Sequence, residues 1–149
     1  MSSQSHPYIY NFRGVNISST GDGGIVAQKS KEATLHLENS HFGQVYGGNM
    51  GLFFIQKVSD NVMKNVTISN GFANRRALRM GFNGDAPVLD NPVGVYEDIV
   101  FENITTTESI VHLLIPPDGD SLTNKRSSFN TTDILFKRLV VRGCTSESR

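Results

Sequence analysis

The stretch STGDGGIVAQKS, Ser19 to Ser30, sets a single acid, Asp22, directly before two glycines. A carboxyl in that setting admits two readings. It can pass a proton as a general acid or base, or it can be a turn residue at a corner where glycine adopts positive φ at no steric cost. Further along, Arg79 follows Arg75 and Arg76. A guanidinium fork suits a planar anion such as a carboxylate; the alternative is a solvated cluster at a chain corner. Phe42, Tyr46, Phe53, Phe54 and Phe72 could line a sugar-binding groove, but most read as core stacked between coils; Tyr46, beside Gly47 and Gly48, is the best candidate for an exposed aromatic platform. His6, His36, His41 and His112 lack the close spacing of metal ligands and read as structural or surface residues. Cys144 is the only cysteine, which excludes an internal disulfide or a thiolate cluster. No metal or cofactor is expected.

Such residues need elements to hold them, and the apolar pattern has a period of two. GVNIS, ATLHLEN, NVTISN, DIVFENITT and DILFKRLVV each alternate an apolar with a polar residue, as a strand with one buried face requires. They return at intervals of roughly 20 to 35 residues, the range of repeat architectures. Shorter strand candidates, GIVAQ, GLFFIQ, RALRM and SIVHLLI, lie between them. Two or three short strands per repeat describe one coil of a parallel β-helix, in which inward side chains of successive coils form continuous apolar columns. An antiparallel sandwich is the competing arrangement. Asn-Gly hairpin signals are mostly missing, with SNGF at Ser69 to Phe72 the exception, and Pro116–Gly119 marks a protruding loop.

The chain has 149 residues and a net charge of zero, so it is about one domain with no overall attraction to nucleic acid or anionic membrane. No run approaches the roughly 20 apolar residues of a membrane helix, and the first residues lack a signal-peptide pattern. Four Asn-x-Ser/Thr triplets, at Asn16, Asn65, Asn103 and Asn130, are formal glycosylation acceptors.

In order, the segments TGDGGIVAQKS, ATLHLENSHF, NMGLFFIQ, VMKNVTISN, RALRMGF, VYEDIVFENITTTE, SIVHLLI and TTDILFKRLVVRGCTS resemble those of the polygalacturonase-type pectinases, glycoside hydrolase family 28. The resemblance covers nearly the whole chain. It implies an all-β, right-handed parallel β-helix over residues 1–149, a fragment of a longer one and incomplete at one or both ends. It also implies a galacturonan or pectin ligand, an extracellular location and inverting hydrolysis of the α-1,4 bond, which takes two carboxyl groups on opposite faces of the bond. Asp22 matches the proton donor of the family's GDD pair, but Gly23 stands where the second acid belongs. Met50 replaces the histidine of GHG. Arg79 matches the arginine of RIK, whose lysine is absent. Lys29 falls within the matched KS, or is simply a solvent-facing strand residue. The expected site is therefore Asp22 with Arg79, Lys29 and Tyr46, and the expected hydrolase is impaired or inactive. Two alternatives are a non-catalytic carbohydrate-binding β-helix and a structural one that self-associates through its open ends.

Overall fold

The computed structural model describes residues 7–28, 34–55, 60–80, 94–113 and 134–147. Lys29, Asn130 and the loop at Pro116–Gly119 lie outside them. Eleven strands occur among the described residues: β1 (Tyr8–Tyr10), β2 (Arg13–Ser19), β3 (Gly23–Gln28), β4 (His36–Gly47), β5 (Gly51–Ile55), β6 (Val62–Ala73), β7 (Leu78–Met80), β8 (Gly94–Thr106), β9 (Val111–Leu113), β10 (Ile134–Arg142) and β11 (Thr145–Ser146). No helix is present among those residues.

The strands form two sheets. One has the order β1-β4-β6-β8-β10, with β2 beside β4 and β11 beside β8; the other is β3-β5-β7-β9. Every pairing is parallel, which overturns the antiparallel sandwich. From β2 to β10 the chain alternates between the sheets, and each strand lies beside the next one of its own sheet. The five long alternating segments of the sequence became the first sheet and the four short ones the second.

The long strands bend at two fixed places. Asn39, Asn65, Asp98 and Arg138 have φ of 49°, 51°, 55° and 61°; Asn16, Gln44, Asn70, Asn103 and Gly143 have φ of 58°, 51°, 55°, 52° and 60°. Asn11, at φ 54°, begins the first series. The pairing registers set each series in one column across the sheet, five residues from the other. Left-handed backbone costs most L-residues about 1–2 kcal/mol, and Asn and Asp tolerate it best, which explains the recurring Asn. Side chains link the rungs: Asn65 Nδ2 donates to Asn39 Oδ1 at 2.9 Å, Asn103 Nδ2 donates to Asn70 Oδ1 at 3.2 Å, and Arg138 Nε lies 2.6 Å from Asp98 Oδ1. Three of the four glycosylation triplets thus begin at bend residues, Asn16, Asn65 and Asn103.

SNGF is likewise a bend inside β6 and not a hairpin. Asn70 takes the left-handed conformation, and Gly71 follows because a Cβ there would strike the backbone of Val45.

Inward positions stack as the period of two requires. Leu37, Met63 and Tyr96 form one buried column, Phe42, Ile68 and Phe101 another, and Phe53 with Leu78 and Ile55 with Met80 come from the second sheet. Among the long strands a buried amide is satisfied: Asn61 donates to the Tyr96 hydroxyl at 3.0 Å and accepts from Leu35 N at 2.8 Å. Burial holds the Tyr96 phenol well above its ordinary pKa. On the outer face, Glu38, Lys64, Glu97 and Lys137 form a column of alternating sign, in which Lys137 Nζ lies 2.5 Å from Glu97 Oε1.

The bend columns make a stability prediction. Asn65→Ala loses both the tolerance of positive φ and a ladder hydrogen bond, and should destabilise by about 1–2 kcal/mol. Asn65→Gly, which keeps the backbone freedom, should cost clearly less, as urea denaturation of the two variants would show.

Candidate functional site

Four corners connect the long strands to the second sheet, and they lie one upon another. They are Thr20–Asp22 before β3, Gly48–Met50 before β5, Asn74–Ala77 before β7 and Thr107–Ile110 before β9. Backbone bonds join them: Asn49 N to Gly21 O at 2.8 Å, Met50 N to Asp22 O at 2.9 Å, Asn74 N to Gly47 O at 3.1 Å and Glu108 N to Arg75 O at 2.9 Å. Asn49 Nδ2 donates to Thr20 O at 2.8 Å, Asn74 Nδ2 to Asn49 Oδ1 at 3.2 Å, and the Thr107 hydroxyl to Asn74 O. Gly47 and Gly48, at φ 107° and 73°, supply left-handed backbone that side-chain-bearing residues rarely adopt.

Asp22 occupies the first corner, where Ser19 Oγ donates to Gly23 O at 2.9 Å and accepts from Gly21 N at 3.1 Å. The Asp22 carbonyl accepts from Met50 N at 2.9 Å and Gly51 N at 3.3 Å. The expected positive φ at the adjoining glycines does not occur. They are required by crowding instead: a Cβ on Gly24 would lie 2.8 Å from Leu52 Cδ2 and 3.2 Å from its Cα, and one on Gly23 would meet the backbone of Val26.

Across the second sheet Phe54, Arg79 and His112 stand in register. Arg79 is only 9% exposed. Its guanidinium carbon lies 5.0 Å from the centroid of the Phe54 ring, a cation–π contact. Arg79 Nη1 donates to Met50 Sδ at 3.0 Å, and Arg75 Nη1 reaches the same sulfur at 3.7 Å. The thioether, a weak acceptor, stands where the resemblance expects a histidine. Glu108 is clamped from both sides: Arg75 Nε lies 2.5 Å from its Oε1, and Arg76 Nη2 holds Oε2. Among the described residues the buried Nε groups of Arg76 and Arg79 have no hydrogen-bond partner.

Two arginines therefore clamp one carboxylate, and Arg79 meets Arg75 at the Met50 sulfur. The hydrogen bond from Arg75 holds the Glu108 pKa below its ordinary value, against a smaller opposing effect of burial. Burial lowers the Arg76 pKa, with Glu108 opposing. His112 is lowered by burial first and by Arg76 and Arg79 next. An excess of buried donors over acceptors can hold an anion. A clamped carboxylate of depressed pKa is a weak base and suits water activation poorly.

Of the residues expected from the sequence, Asp22 and Arg79 both reach Met50, one through its backbone and the other through its guanidinium. Tyr46 is 49% exposed. It lies in register with Ser18 and Phe72 on the strand segment leading into the second corner. Lys29 falls outside the described residues. Sequence reasoning missed Glu108 and His112. Glu108 had a signal, as the acid that follows a long strand where Arg75 follows the one before it; His112 had none beyond its place in a short strand. Among the described residues no group of three or more His, Cys, Asp or Glu could hold a metal, and no helix is long and apolar enough to cross a membrane. No family model, no curated protein and no solved structure matches the chain. The likeness to the polygalacturonases rests on the order of its sequence segments.

The Glu108 clamp carries a pH signature. Because its folded pKa is depressed, its pairs contribute stability that is full above the ordinary Glu value of about 4.3 and is lost as the pH falls through the lower folded value. Glu108→Gln should be less stable than the parent by about 1 kcal/mol near neutral pH, given its partial exposure. The difference should shrink as the pH falls through the depressed Glu108 pKa, as denaturant titrations at successively lower pH would reveal.

Proposed function

We propose that the chain is a right-handed parallel β-helix of the polygalacturonase type that holds galacturonan outside the cell without hydrolysing it at enzyme rates. The observation that carries this reading is the cluster of Arg75, Arg76 and Arg79, where, among the described residues, one clamped carboxylate stands with three guanidinium groups and two buried Nε donors lack partners. A uronate carboxylate would complete that cluster, and Tyr46 on the neighbouring strand segment would offer an aromatic face to an adjoining sugar. Parallel pairing throughout, with the chain alternating between two sheets, supports the β-helix. Against hydrolysis stands the donor set: Asp22 has Gly23 and Met50 where the family's second acid and histidine belong, and losing one general acid or base removes about 10²–10⁴ in rate.

Calorimetry with oligogalacturonates should give saturable binding, and a reducing-end assay on polygalacturonate should give no turnover above background. Arg79→Gln should weaken binding about tenfold or more, the loss of a charge-assisted hydrogen bond of about 1.5–3 kcal/mol. Arg75→Ala, at an exposed corner, separates loss of binding from loss of folding. Turnover at ordinary enzyme rates would overturn the non-hydrolytic reading, and absence of binding would overturn the uronate site.

A second reading, self-association, is favoured by the ends of the apolar columns. Val141 and Leu113 are 45% and 38% exposed although they lie in register with fully buried Phe101 and Met80. Exposed apolar surface of this kind favours association. Sedimentation should then show mass rising with concentration for the parent and a monomer for Val141→Lys; a parent that stays monomeric would exclude it.

A further inference from the structure

We infer that His112 is a proton-dependent arm of the arginine cluster, so that an oxyanion seated by Arg76 and Arg79 binds more tightly when His112 is protonated. This inference rests on the reading of that cluster as an anion site. It concerns a residue that neither the sequence motifs nor the family pattern assigns.

The geometry is specific. His112 lies directly beside Arg79 in the register of β7 and β9. The described charged groups that face it are Arg79 on β7, Arg76 in the corner before β7, and Glu108 in the corner before β9. Among the described residues β9 is the last strand of the second sheet, and it pairs with β7. Arg79 is nine-tenths buried, and its Nε and that of Arg76 are buried without a hydrogen-bond partner among the described residues. Without a bound anion, His112 thus has two guanidinium neighbours, and among the described residues the carboxylate that opposes them, Glu108, is already held by Arg75 and Arg76. Burial first, and then the charges of Arg76 and Arg79, push the His112 pKa down, since protonation would add a third positive charge to the cluster.

A bound oxyanion reverses this balance. Its charge offsets the two guanidinium groups, favours the imidazolium and offers its N–H an acceptor. By linkage, whatever an anion does to the proton affinity of His112, the proton does equally to the affinity for the anion. The sign is fixed: binding takes up a proton, and affinity rises as the pH falls through the range where His112 titrates. A uronate carboxylate stays ionised across that range, so the ligand does not supply the dependence.

The test uses the whole chain with two probes, trigalacturonate and inorganic sulfate, titrated at constant ionic strength at about pH 5 and about pH 7.5, either side of the ordinary histidine value. The parent should bind roughly fivefold or more tightly at the lower pH. Calorimetry in two buffers of different ionisation enthalpy should report proton uptake. H112N should flatten the pH dependence, whereas H36N, remote from the cluster, should retain it. The His112 ring resonances should titrate at higher pH when sulfate is present. Equal affinities at both pH values in the parent, or an unchanged slope in H112N, would overturn the inference. Trigalacturonate binding without that slope leaves the uronate reading standing and this inference fallen. Sulfate binding with the slope but no trigalacturonate binding does the reverse, and failure of both probes to bind overturns both.

Discussion

The architecture depends on a backbone constraint: twice in each rung of the first sheet, in or beside its strands and five residues apart, one residue must adopt left-handed φ. Each such residue bends the strand without breaking its parallel pairing. Because the bends recur in register, all the rungs bend together, and the inward columns on either side stay aligned. A rung with its bend displaced by one position would turn its apolar set outward, since side chains alternate with a period of two. The packing of Phe42 on Ile68 and of Ile68 on Phe101 therefore follows from where Asn39, Asn65 and Asp98 stand. The side-chain ladder between these residues adds to the alignment, but the conformational requirement comes first.

The corners continue the same logic on the flank that carries the arginines. Gly47 and Gly48 turn the chain out of the first sheet, and the backbone bonds from Thr20–Asp22 through Asn49 and Met50 to Arg75 and Glu108 set each corner on its neighbour. Residues some 25 to 35 apart in sequence are thereby gathered into one cluster. No single segment contains the site. Arg79 gains its setting from Phe54 and Met50, contributed by the preceding strand and corner, and Glu108 gains its clamp from the corner before its own.

This division explains what the sequence revealed. Strand content and the two lengths of strand were legible because alternation is local: NVTISN and DIVFENITT each state their own period. Parallel stacking was legible from the recurrence of those units, although the antiparallel alternative could be removed only by the registers themselves. The five-residue spacing of bends was present in the pairs Asn11 and Asn16, Asn65 and Asn70, and Asp98 and Asn103, yet Gln44 and Arg138 obscure it, as neither announces a left-handed residue. At the corner, Asp22 drew attention through its neighbours, while its glycines proved to answer a packing demand from Leu52 and Val26 that no local pattern carries. The clamp on Glu108 and the setting of His112 were illegible for a related reason. Their chemistry comes from arginines a full rung away, and proximity across rungs is a property of stacking, not of spacing.

The charge column on the outer face has a consequence for how such a chain assembles. Glu38, Lys64, Glu97 and Lys137 alternate in sign from one rung to the next, so correct neighbours attract. A misfolded chain that looped out one rung would set Glu38 against Glu97 or Lys64 against Lys137, and like charges directly opposite in a sheet are unfavourable. Apolar columns of interchangeable Val, Ile and Leu discriminate poorly among such skipped arrangements. The alternating line of charge thus acts as a parity check on the order of addition, admitting the adjacent layer and rejecting the one beyond it.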